Sequence, residues 1–167
     1  MWSLFFLFLP GIGFVSGLLA LSGRTEFLWL KQPSEYPLEF WVIAFAGSVA
    51  TLGGILDWRL HRREGIVIGV KEKHYEKVAL GAGGVPLFGL MAAASLSSNP
   101  NRFLLPVLIV LLFTVAMICY DEFIFHRKRC GRYETVLHRI LVLGNGLAWL
   151  AWSNWCFVKG GIHAMAY

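Results

Sequence analysis

Charge is scarce in this chain, and cysteine scarcer still. Only 15% of its 167 residues are Asp, Glu, Lys or Arg, while 57% are hydrophobic and the mean hydropathy is +0.62. An ordinary soluble domain carries about 25% charged residues, so this deficit argues against a water-soluble fold and for a membrane protein. Cys119, Cys130 and Cys156 form no C-x-x-C pair, and their expected depths and sides of the membrane differ, which argues against a disulfide framework. There is no low-complexity tract and no Ser/Gly linker, so no appended soluble domain is expected. The formal net charge is +5, but no nucleic-acid motif accompanies the basic residues, and nucleic acid is not an expected partner.

What is present is a series of apolar runs. A helix needs about 20 apolar residues to cross the hydrocarbon core of a bilayer, and stretches of about that length fall near 2–22, 38–58, 78–97, 103–122 and 136–158. The N-terminal run, "WSLFFLFLPGIGFVSGLLALSG", has no basic segment before it, so a retained first span is expected over a cleaved signal peptide. The expected fold is all-α: an integral membrane protein of five transmembrane helices forming a single membrane domain over 1–167.

Orientation follows from the basic residues. Arg59, Arg62, Arg63, Lys71, Lys73 and Lys77 lie between the second and third runs, and Arg127, Lys128, Arg129, Arg132 and Arg139 lie around the connection of the fourth to the fifth. Arg24, Lys31, Arg102 and Lys159 are left for the other side. The positive-inside rule then places both basic connections and the N-terminus in the cytoplasm and the C-terminus outside, in an inner or plasma membrane. Membrane lipids are the first expected partners, with some attraction to anionic headgroups.

The two basic connections also resemble each other. Asp57-x-x-x-His61-Arg-Arg-x-Gly65 lines up with Glu122-x-x-x-His126-Arg-Lys-x-x-Gly131, and each continues into an acid and a second histidine, Glu72 with His74 and Glu134 with His138. The match is imperfect, because the later pair is four residues apart and the earlier one two. It suggests a parallel repeat in which spans two and three correspond to spans four and five, an arrangement known in membrane proteins.

Residues four apart on a helix share a face. Asp57 with His61, Glu122 with His126, and Glu134 with His138 are therefore carboxylate–imidazole pairs aligned to chelate. With His74 they bring four of the chain's five histidines to one rim. A solvated charged fringe accounts for Glu64, Glu72 and Glu76. It accounts less well for Asp57 and Glu122, which follow apolar runs directly, because ionisable groups at that depth are costly unless paired or liganded.

Four imidazoles and three carboxylates exceed one tetrahedral zinc site. They suit two divalent ions sharing a carboxylate, with iron favoured and zinc or manganese as alternatives, since mixed N/O ligation argues against a thiolate copper site. The Glu-x-x-His motif of soluble di-iron bundles and the long His clusters of membrane desaturases are both missing. The function expected from these residues is a membrane-embedded dinuclear metalloenzyme with its site at the cytoplasmic interface. It would oxidise, hydroxylate or desaturate a lipophilic small-molecule substrate with O₂. A zinc hydrolase using metal-activated water, a metal transporter or metal-handling protein, and an accessory subunit stay open as alternatives. So small a chain is compatible with a homo-oligomer or a larger membrane complex.

Other features bear on packing. "GAGGVPLFG" at 81–89 would weaken or kink the third run and admit a close helix neighbour. Asn145 lies on the face of His138, as a helix–helix donor or a cavity wall. Trp149, Trp152 and Trp155 read as belt and packing residues, and Phe27 to Leu30 as a segment on the membrane surface. Cys119 and Cys156 are expected to pack among helices.

Overall fold

Long apolar runs interrupted by glycine, proline and short charged segments dictate helices joined by tight turns. The computed structural model describes residues 2–65, 69–126 and 131–161, and they are almost wholly helical, with no strand among them. Helix α1 covers Trp2–Ser22, α2 Leu38–Glu64, α3 Val70–Val78, α4 Val85–Ser95, α5 Leu104–Asp121 and α6 Arg132–Ser153. A π-helical turn, Ala79–Gly84, joins α3 to α4 with helical backbone on both sides, so the two run on as one rod. Similar turns extend α5 over Glu122–His126 and α6 over Asn154–Val158.

Leu38–Glu64 and Pro100–Ile124 are long and apolar enough to cross a membrane, whereas Leu7–Ser22 and Ala79–Ser95 are apolar but shorter. The run at 136–158 is helical too, but His138, Arg139, Asn145 and Asn154 dilute its apolarity. Charged segments that read as connections turn out to be helical as well. Helix α2 continues through "HRRE" and stops at Gly65, whose φ of +64° is the left-handed conformation that favours glycine after a helix end. Helix α3 then begins at Val70, so "KEKHYEK" is helix rather than loop.

The chain divides into two compact units, 1–56 with 137–167 and 57–136. In the first, the middle of α2 packs antiparallel to α6 through small residues. A Cβ on Gly144 would lie 2.9 Å from both the Ala46 carbonyl oxygen and the Ala50 Cβ, and one on Gly53 would lie 3.0 Å from Ile140 and 3.2 Å from the Leu137 carbonyl. Small residues at such positions let the two backbones approach closely. At the far end of this unit, aromatic rings gather on Phe40, with Trp155 at 5.0 Å, Phe14 at 5.7 Å, Tyr36 at 5.9 Å and Trp29 at 6.1 Å between centroids.

The segment expected on the membrane surface joins this core. Thr25–Lys31 is a 3₁₀-type segment kinked at Phe27, whose backbone is non-helical, and Phe27 and Leu30 are both buried while Leu28 is exposed. Beside the rings, Glu39 is buried in the first turn of α2, and its Oε1 accepts from Asn154 Nδ2 at 2.7 Å and pairs with Lys159 Nζ at 2.6 Å.

In the second unit, the α3–α4 rod packs on α5 at the glycine-rich turn. A Cβ on Gly83 would meet Thr114 Oγ1 at 2.5 Å. Pro86 has no N–H for the carbonyl four residues back, so a π-helical turn next to it absorbs a register break that proline would impose anyway. The expectation drawn from "GAGGVPLFG" thus meets both a distorted helix and a close neighbour.

Candidate metal-ligand cluster

The last turns of α2 and the first turn of α6 position three of the expected site residues. Asp57 and His61 stand one turn apart on α2, with Oδ1 3.9 Å from Nε2, as their four-residue spacing implies. Glu134 lies in the first turn of α6, where an acidic side chain suits the positive end of the helix dipole. Its Oε1 is 2.6 Å from His61 Nε2, a short hydrogen bond in which the imidazole N–H donates to the carboxylate. The three side chains are 21%, 16% and 5% exposed for Asp57, His61 and Glu134. Each offers one donor atom, and these atoms all lie within 4.8 Å of one another.

One imidazole nitrogen and two carboxylates form a hard N/O set. A tetrahedral ion with bonds of about 2.1 Å needs ligand atoms about 3.4 Å apart, so the His61–Glu134 pair would open slightly and Asp57 would close in. Three protein ligands leave coordination positions free for water or substrate, as in catalytic rather than structural zinc sites. The residues therefore fit one divalent ion. Next to them, the Arg62 guanidinium lies over the Trp58 ring, 5.1 Å from its centroid, covering apolar surface at the helix end.

The other expected ligands are placed differently. His74 is exposed on α3, with its ring 6.1 Å from that of Tyr75, and lines a separate cavity. Glu122 is half-buried where α5 passes into its π turn, and His138 is half-buried one turn after Glu134 on α6. Neither belongs to the three-residue group. His126 ends the π turn, and its side chain lies outside the described residues, as do those of Glu72 and Glu76 and the whole of Arg127, Lys128, Arg129, Cys130 and His163. Asn145 donates to the Leu141 carbonyl of its own helix at 2.9 Å. Cys156 is fully buried, but Cys119 is exposed on the apolar surface of α5.

Two features escaped the sequence reading. His61 meets Glu134, 73 residues away, and no local spacing signals that partnership. Tyr75 and Tyr120 pair at 4.9 Å between ring centroids; a tyrosine beside a histidine at one helix start and another beside an aspartate at a helix end was the only cue.

Comparison of the chain with protein-family models, with curated proteins and with solved structures returned no match.

Proposed function

We propose that this chain is an integral membrane metalloenzyme that holds a divalent ion between Asp57, His61 and Glu134 and acts on a lipophilic substrate. The observation that carries the reading is the convergence of those three donor atoms within 4.8 Å from two helices distant in sequence. Two carboxylates balance the charge of a divalent ion, and the hard donor set without thiolate favours iron, with manganese or zinc next. Bound iron would supply O₂-dependent oxidation, and bound zinc would supply hydrolysis through an activated water.

Membrane immersion is supported by surface chemistry. The apolar stretch Pro100–Ile124 is only 6% buried, and Leu105, Ile109, Leu112 and Phe123 are all more than half exposed. Soluble monomers rarely expose apolar patches above a few hundred Å², so lipid is the natural cover. The basic residues at the ends of α2 and around α6 favour a cytoplasmic rim, with the N-terminus inside and the C-terminus outside.

A two-ion, iron–oxygen centre built on a parallel repeat is the second reading. It is favoured by the π turn Glu122–His126, since such turns concentrate at functional sites. That centre would recruit Glu122 and His126 beside the first ion.

The test has two arms. Alkaline extraction of membranes should leave the full chain in the pellet, and release into the supernatant overturns the membrane assignment. Protein purified in detergent without added metal should retain about one ion per chain. His61→Ala and Glu134→Ala should lose it, and His74→Ala should keep it. Wild type without metal, or variants that keep theirs, would reduce the cluster to a hydrogen-bonded tie between helices.

A further inference from the structure

The second unit contains a cavity that the metal cluster does not use. Val70, Lys71, His74 and Tyr75 line it from the start of α3, and Tyr120 and Ile124 from the end of α5 and its π turn. Its volume is about 610 Å³, within the range of small-molecule sites. One wall is the Tyr75–Tyr120 pair, with rings tilted by 39°. Among the described lining residues, Lys71 carries positive charge, His74 offers an imidazole N–H, the phenols of Tyr75 and Tyr120 hydrogen-bond to each other, and there is no carboxylate. Val70, Ile124 and the faces of the tyrosine rings supply an apolar floor.

Cationic and hydroxyl groups over an apolar floor ask for a ligand with an anionic head and a hydrocarbon tail. We propose that this cavity is a binding site for an anionic phospholipid, its phosphate held by Lys71 and His74 and its upper acyl chain against Tyr75, Tyr120 and Ile124. The position suits the ligand: of the two stretches long and apolar enough to cross a membrane, the one containing α5 is the more apolar and the less covered, and the cavity lies where α5 ends and the charged turn of α3 begins. Basic pockets at the cytoplasmic face are where anionic headgroups concentrate. The site gives His74 a role apart from metal ligation. It rests on the membrane placement proposed above and not on the metal.

The test is native mass spectrometry of the full chain in detergent, with phosphatidylglycerol and phosphatidylcholine of matched acyl chains supplied together. Wild type should retain phosphatidylglycerol in preference. Lys71→Glu should lower that preference at least about fivefold, the share of one basic side chain near a lipid surface. His74→Gln should lower it further, and the exposed Lys31→Glu should leave it unchanged. Ile124→Trp fills the cavity without altering charge, and should abolish the adduct even if Lys71→Glu proves unstable. His61→Ala should keep the lipid preference while losing metal, which separates this site from the cluster. Equal retention of the two lipids by wild type, or a preference that survives both Lys71→Glu and Ile124→Trp, overturns the proposal. So does inorganic phosphate displacing phosphatidylglycerol at equal concentration, because the site would then recognise the free anion and not the lipid.

Discussion

Two glycines on α6 should respond in opposite directions to the same substitution. Alanine at Gly144 puts a Cβ 2.9 Å from the Ala46 carbonyl oxygen and 2.9 Å from the Ala50 Cβ, with the Ala50 backbone nitrogen at 3.2 Å. Two of those three atoms are backbone, so relief requires α2 and α6 to separate rather than a side chain to swing away. Overpacking of this kind costs about 1–3 kcal/mol. At Gly146, two residues on, a Cβ meets nothing within 4 Å, so alanine there contributes only its helix propensity, a gain of about 0.5–1 kcal/mol. Both variants share that propensity term, so the difference between them isolates the packing cost. At about 2–4 °C per kcal/mol for a chain of this size, Gly144→Ala should unfold several degrees below Gly146→Ala. Tryptophan fluorescence during heating in detergent reports it, because Trp149, Trp152 and Trp155 follow on the same helical run. Equal midpoints, or a more stable Gly144→Ala, would refute the close antiparallel contact of α2 with α6.

Further outcomes follow from the same geometry. Gly83→Ala should lower stability by about 1–3 kcal/mol, and adding Thr114→Ala, which removes the oxygen 2.5 Å from the new Cβ, should restore much of the loss in a double-mutant cycle. Glu39→Ala should destabilise by about 1–3 kcal/mol through the loss of its buried bond to Asn154, measurable in the same thermal assay. With metal removed by chelation, His61→Ala and Glu134→Ala should each be destabilising and the double variant much less than their sum, since each removes the same 2.6 Å contact; strict additivity would show that the two side chains do not interact.

The helices were legible because the apolar runs are about 20 residues long, far longer than strands, and are bounded by charged or glycine- and proline-containing breaks. Asp57 with His61 was legible for an equally local reason, since four residues make one turn. "GAGG" announced its own distortion. What escaped is whatever depends on distant partners. Nothing in the sequence near His61 names Glu134, which its own spacing pairs with His138 instead. His74, matched to the repeat by alignment, faces a cavity formed by tyrosines from two helices. The charged stretches at 59–64 and 70–77 read as connections because their polarity hides the helical hydrogen bonding that continues through them. Phe27 and Leu30 looked like surface anchors, but the kinked segment that carries them buries both.

Asp57 and His61 from α2 and Glu134 from α6 are proposed as the coordination shell of one divalent ion. X-ray absorption at the edge of the metal retained by the purified chain tests it most directly. The expected spectrum shows a first shell of nitrogen and oxygen with one imidazole, no sulfur, and loss of the imidazole signal in His61→Ala. A preparation that binds no metal contradicts it, as does sulfur in the first shell, or a second metal at the roughly 3.5–4 Å spacing of two-metal sites.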